Sequence, residues 1–156
     1  MSEPNESNGF QAAHAELLLD SYRQLTGRNL LPPGHSPEAA AHDLYFAQFV
    51  VLSHDTAADP VFTYANLAAQ KLFAMPWQEI VGLHSRFSAE PLVREDRQRL
   101  LEQVTSQGYM DDYCGVRIAS TGKRFEISKA TVWNLTSRSG EWMGQAATFA
   151  EWRDLE

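Results

Sequence analysis

The chain is expected to fold as an α+β domain, a five-stranded antiparallel sheet with helices on one face and a further helix flanking it at the N-terminus. Three observations predict this. Apolar residues recur at helical spacing before residue 46, and segments rich in β-branched and aromatic residues follow it. The segments run helix, helix, strand, strand, three helices, then three strands joined by short turns, the order of a sheet with segregated helices.

The first eight or nine residues, "MSEPNESNG", lack apolar groups to bury and read as a disordered tail. "FQAAHAELLLDSYRQLTG" then places Phe10, Ala13, Leu17, Leu18, Ser21 and Leu25 at helical spacing, with Gly27 as its C-cap. After "LLPPGH", Ser36-Pro37-Glu38 is a helix start: the serine oxygen caps free amides and proline suits the first turn. This N-terminal helical segment spans 10–46, and a second unit runs from 47 to 156. "FVVLSH" and "VFTYA" read as strands around the turn "DTAADP". Asn66 caps a helix that Pro76 stops, "WQEIVG" is a short helix, and "REDRQRLLEQVTSQG" is a helix with acids in its first turn and Gly108 at its end. "DDYCGVRIA", "RFEISKATVWNL" and "WMGQAATFAEW" form a meander through the turns "STGK" and "TSRSGE".

Composition excludes several classes. Thirteen basic against 20 acidic residues give a formal charge of −7, concentrated in residues 1–60. Neither half has the basic excess that neutralising phosphates requires, so nucleic-acid binding is disfavoured. No apolar run approaches the ~18 residues of a membrane span, and the N-terminus lacks the basic and apolar regions of a secretory signal. No membrane contact and a cytoplasmic location are the expectation. The lone Cys114 alternates with Val116 and Ile118, the periodicity of a buried strand face, and reads as a structural thiol.

The motifs point to a family. "PVFTYANLAAQKLF", "WQEIVG" and "ASTGKRFE" resemble PAS sensor domains, in which a strand ends in Tyr-Ala-Asn and the asparagine caps the next helix. "LLLDSYRQLTGRNLL", "VVLSH", "SRFSAEP", "DDYCGVRI", "ATVWNL" and "GQAATF" together are similar to bacterial stand-alone members of the MEKHLA family, whose PAS-like domain also ends plant class III homeodomain–leucine zipper proteins. The resemblance implies a PAS-like fold and a sensory or interaction role.

"GLHSRFSAE" also resembles the loop of the flavin-binding light sensors of the PAS class, Gly-x-Asn-Cys-Arg-Phe-Leu-Gln. Ser85 stands at the cysteine, His84 at the asparagine and Ala89 at the glutamine. A hydroxyl is far less acidic and nucleophilic than a thiol, so the flavin–cysteine adduct has no counterpart here. The positions that would bond the flavin edge carry Arg117, Ile127 and Phe149, and two apolar groups there leave polar edges unpaired at roughly 1–3 kcal/mol each. FMN is disfavoured, as is heme on His84, because a loop histidine alone does not make a heme site.

The expected pocket is lined by Tyr64, His84, Ser85, Arg86, Val116, Ile127, Val132 and Phe149, with Arg86 as the fork donor for an anionic group. The alternative for Arg86 is a structural ion pair. Glu79 and Lys123 match an acid and a base that pair across many PAS domains. His54-Asp55 reads as turn chemistry rather than a metal site. Trp133 reads as core, whereas Trp142 and Trp152 are candidates to face a partner. The apolar excess of the first helix predicts a homodimer through it. Because no output domain follows in this sequence, a protein partner or oligomerisation is expected to carry the signal. The competing readings are a cofactor-dependent or hydrolytic enzyme built on His84-Ser85-Arg86, and a packed adaptor without a ligand.

Overall fold

The computed structural model describes residues 1–92 and 94–155. Helix α1 (Ala12–Thr26) ends at Gly27, whose φ of 72° is the left-handed cap that glycine adopts most easily. It buries Ala15, Leu18, Ser21 and Tyr22, a stripe rotated from the expected one, and Ala13 faces solvent. Helix α2 (Pro37–Tyr45) starts as expected, with the Ser36 hydroxyl accepting from the Ala39 amide. Strands β1 (Val50–His54) and β2 (Phe62–Ala65) precede helices α3 (Leu67–Phe73), α4 (Trp77–Ile80) and α5 (Arg94–Gln107). The meander is β3 (Tyr109–Ile118), β4 (Arg124–Thr136) and β5 (Trp142–Phe149). The segment expected as one last strand breaks at Ala150, and β6 (Glu151–Asp154) pairs with the first half of β4.

The sheet is antiparallel in the order β2-β1-β5-β4-β3. Helices cover both of its faces. On one face α3, α4 and α5 pack over Val50, Leu52, Phe62, Ile127, Val132 and Phe149. On the other, α1 and α2 pack Leu18, Tyr22, Leu44 and Tyr45 over Val51, Tyr64, Trp133 and Leu135. The helical segment 10–46 therefore shares a core with the sheet, and the flanking helix occupies its second face.

Asn66 joins the elements at their centre. It is fully buried, and its side-chain oxygen accepts from the amides of Ala69 and Val51, both at 3.1 Å. Its side-chain nitrogen donates to the carbonyls of Leu44 (3.1 Å) and Phe49 (2.8 Å). One residue thus caps α3 and ties β1 to the end of α2, and all its polar capacity is met, as burial demands.

Residues 1–9, expected as a disordered tail, run along the fold. A 3-10 turn at Glu6–Asn8 is closed by a reciprocal Asn5–Asn8 cap. The Tyr45 hydroxyl donates to Glu3 at 2.6 Å, and the Trp77 indole donates to the Met1 carbonyl at 3.0 Å. Composition showed too few apolar groups to fold the tail alone; polar side chains on the body of the domain supply its partners.

Candidate ligand-binding site

The cavity-facing side of the sheet is set by two compensating irregularities. Asp112 and Lys129 are non-glycine residues at positive φ, 55° and 53°. Each marks a bulge: Met110 pairs with Val132 but Tyr113 with Ala130, and Gly115 then pairs with Ile127. One extra residue reverses which face every later side chain meets. Past Asp112, Tyr113 and Arg117 therefore turn toward the α3–α5 side. Cys114 and Val116 turn away, and the thiol is exposed rather than buried. On β4, Lys129 lets Ile127 and Val132 share a face although they are five positions apart, an odd spacing. On β5, Phe149, Ala147 and Gln145 alternate inward without interruption.

These residues wall a cavity of about 220 Å³ beneath α5. Leu52, Phe62, Ile127, Val132 and Phe149 make its interior apolar, while Arg117, Gln145 and the hydroxyl-bearing Ser85 and Ser88 supply polar groups.

The segment from Gly82 to Glu90 closes it. Gly82, at φ 95°, donates to the Phe62 carbonyl at 2.8 Å, and the Leu83 carbonyl accepts from the Phe62 amide at 2.9 Å. His84 bridges to Val61, and the Ser85 amide donates to the Pro60 carbonyl at 2.9 Å. A 3-10 turn, Ser85–Ser88, follows, held by the Ser88 hydroxyl donating to the Ser85 carbonyl. Ala89 then bridges to Arg117, and the Glu90 amide donates to the Val116 carbonyl at 3.1 Å. The segment thus runs from the β2 edge of the sheet to the β3 edge, across the cavity.

Of the residues expected to form the pocket, Ser85, Arg86, Ile127, Val132 and Phe149 line this cavity. The other three lie elsewhere. Tyr64 is on the opposite face, stacked on His14 with ring centroids 5.5 Å apart and edge-on to Trp77; its buried hydroxyl has no partner among the described residues, and burial pushes its pKa up. Val116 is turned outward by the Asp112 bulge. His84 is partly exposed at the β2 edge, its Nδ1 3.2 Å from the Asp59 carboxylate. Arg86 directs its Nε to both Asp59 oxygens, at 3.1 and 3.2 Å, and lies 4.3 Å from the Phe87 ring centroid. This is the structural ion pair, and 61% of the side chain is exposed.

Residues that sequence reasoning did not assign to the cavity are Leu52, Phe62, Tyr113, Gln145 and Ala147, and Arg117 entered it only as a mismatch to a flavin partner. Alternation from Val50 and Phe149 was a signal for Leu52 and Ala147. No sequence signal marked the bulge that admits Tyr113 and Arg117. Lys123 pairs with Asp154 at 3.0 Å instead of Glu79, because β6 brings that aspartate alongside the β3–β4 hairpin. Among the described residues no cluster of three or more histidine, cysteine or acidic side chains is arranged to hold a metal, and no helix is long and apolar enough to cross a membrane.

An antiparallel sheet in this order, with helices and a crossing loop enclosing a cavity on one face, is the architecture of PAS sensory domains. Solved structures agree. The PAS domain of a Colwellia psychrerythraea protein superposes with a TM-score of 0.58 at 12% identity, covering 76% of this chain and 95% of that one. The light-state dimer of the fungal blue-light photoreceptor Vivid gives 0.59 at 14%, covering 88% and 93%. The dark-state light-oxygen-voltage domain of Aureochrome1 gives 0.53 at 18%, covering 83% and 88%. At these identities the likeness is one of fold. The MEKHLA domain model matches residues 12–154, and the chain belongs to that family. No curated protein sequence matches it.

Proposed function

We propose that this protein is a non-catalytic sensory module that binds a small molecule in the cavity under the Gly82–Glu90 segment. The observation that carries the reading is a largely apolar, partly open cavity in a well-packed domain, crossed by a segment bonded to both edges of the sheet. Interiors ordinarily pack without voids, so a chamber of this size with a few convergent polar groups is the form of a ligand site. A ligand that touches the segment and the sheet together changes how β2 and β3 are held. Ser53 gives that change a route out. Its residue borders the cavity, while its hydroxyl on the other face lies 2.9 Å from His14 of α1.

Flavin does not fit these residues. Ser85 lacks the thiol, and Ile127 and Phe149 put hydrocarbon where a flavin edge needs hydrogen-bonding groups.

The reading includes a homodimer and a cytoplasmic protein partner. The apolar stripe of α1 is occupied by its own sheet, and Phe46 just beyond α2 is the large apolar group left exposed there. The homodimer expected through the N-terminal helix would on this reading use Phe46 and the adjoining helical surface. Trp142 and Trp152, 54% and 41% exposed at the meander, suit the partner.

The test is native mass spectrometry of the purified protein, followed by identification of whatever denaturation releases. The expected result is a bound small molecule in the wild type and none in Ala147→Leu, which places three more carbons in the cavity. Equal retention by both proteins removes the cavity as the site.

A further inference from the structure

We infer that the ligand is a carboxylic acid carrying one ring, its anion held by Arg117 and its ring held by the apolar walls. The inference rests on the reading of the cavity as a ligand site, and concerns what that site selects.

Two guanidinium groups line the cavity: Arg86 is paired with Asp59, whereas Arg117 has no carboxylate partner among the described residues. The half-buried Arg117 has long contacts only. One terminal nitrogen donates to the Val116 carbonyl at 3.4 Å, the other to the Tyr113 hydroxyl at 3.4 Å, and the guanidinium carbon lies 5.6 Å from the Tyr113 ring centroid. No carboxylate among the described residues comes within ion-pair distance. Glu90, which follows the Ala89 that bridges to Arg117, is engaged with Arg124, whose Nε donates to it at 2.6 Å. A permanently charged fork of five donors, facing an apolar chamber without a counterion, favours a planar two-oxygen anion. Lysine would serve as a point charge; arginine matches the two oxygens of a carboxylate.

Size fixes the rest. One benzene ring needs about 150 Å³, and the remaining volume of this 220 Å³ cavity admits a carboxylate and one or two linking atoms. The other walls include Leu52, Ile127, Val132 and Phe149; the second cation that lines the cavity, Arg86, is already paired with Asp59, and no acid is among the described lining residues. One unpaired cation among apolar walls favours a monocarboxylate over dicarboxylates, amino acids and phosphate esters. It selects aryl or alicyclic monocarboxylates of the size of benzoate, phenylacetate and cyclohexanecarboxylate.

The experiment is isothermal titration of the full chain with these three acids and with their neutral primary amides, which keep the shape and lose the charge. The expected result is that each acid binds about ten- to a hundredfold more tightly than its amide, the range of a charge-assisted pair. Arg117→Gln removes the preference and Arg117→Lys keeps part of it, with thermal melts checking that each variant is folded. Amide-bond chemical shifts of Tyr113 and Ile127 place the ligand independently. If acids and amides bind alike and Ala147→Leu abolishes both, the cavity is a ligand site and the carboxylate inference is overturned. If none of the six compounds moves either the heat or the chemical shifts, the inference is likewise overturned. Acid binding that Ala147→Leu leaves intact overturns the cavity reading itself.

Discussion

The two faces of the sheet are built to different standards. The face under α1 and α2 is filled by large rings: Tyr22 packs edge-on against Trp133, and Trp77 edge-on against both Tyr64 and Tyr45, with centroid separations of 5.0 to 6.4 Å. The face under α3–α5 contains a comparable number of apolar side chains and still leaves a cavity, because β3 and β4 both bulge there and the covering segment reaches the sheet through backbone bonds at its edges. Packing density, not hydrophobicity, separates the filled face from the one that leaves a cavity. The dense face also carries the polar exceptions. Tyr64 and Trp133 each bury a hydrogen-bonding atom without a partner among the described residues. That cost is tolerated where ring area is large.

The same substitution made on each face gives the largest test of the contrast. Leu18 is fully buried under α1, and Leu52 borders the cavity. Removing a leucine side chain costs more where its neighbours touch it on all sides, since the void left behind adds to the transfer loss. Leu18→Ala is expected to lower the stability by about 4 kcal/mol and Leu52→Ala by about 2.5 kcal/mol. Urea unfolding of both variants measures the gap. Equal losses would mean that the cavity face is as tightly packed as its opposite.

A smaller effect distinguishes the faces by pH. His14 sits between α1 and the sheet, stacked on Tyr64, with Nε2 2.9 Å from the Ser53 hydroxyl, which in turn lies 2.8 Å from that of Thr63. Burial lowers its pKa from 6.5 to about 4. The folded protein therefore holds a neutral imidazole at a pH where the unfolded chain has already taken up a proton. Stability is complete above pH 6.5 and is lost as the pH falls toward 4, by about 2 kcal/mol at pH 5. His14→Gln keeps a donor and an acceptor for Ser53 but does not titrate. Chemical unfolding at pH 7.5 and pH 5 should show most of this loss in the wild type and little of it in the variant. A variant with the same pH dependence would assign the effect to other groups.

Much of this fold was legible in the sequence, and the part that was not has one physical cause. The caps at Ser36, Asn66, Gly27 and Gly108 are chemical signals with local partners, so the helix limits followed from them. The order of strands and helices, with the motif residues, placed the chain in its family. Side-chain direction on β3 failed because Asp112 and Lys129 take a left-handed backbone, and neither residue announces a bulge as glycine does. Reading strict alternation through Asp112 puts Cys114 and Val116 inside and Arg117 outside, the reverse of the structure. Arg117 was thus noticed in the sequence only as a mismatch to a flavin partner, whereas the loop motif made Arg86 conspicuous. The second face was missed for a different reason: helical periodicity reveals that α1 has an apolar stripe but not whether a sheet or a second copy covers it.

The smallest expected difference compares one ion pair on each side. Arg28, just after α1, meets both oxygens of Asp111, at 3.1 and 2.7 Å, and Thr131 donates to the same carboxylate at 2.8 Å. The hydrogen bond donated by Arg28 holds the Asp111 carboxyl below the usual carboxylate range, and the same bond, accepted by Asp111, raises Arg28. The pair clamps the end of the helical segment to the β3 bulge. Arg86 reaches Asp59 through Nε alone, with both side chains more exposed. Solvent screens both pairs, so double-mutant cycles are expected to give about 1 kcal/mol for Arg28–Asp111 and about 0.3 kcal/mol for Arg86–Asp59. Because Asp111 is the lowered group, its contribution is full above the unfolded carboxylate pKa and is lost as the pH falls from there through the lower folded one. Coupling at Arg28–Asp111 that is no larger than at Arg86–Asp59 would show that bidentate geometry at the bulge does not hold the helical layer to the sheet.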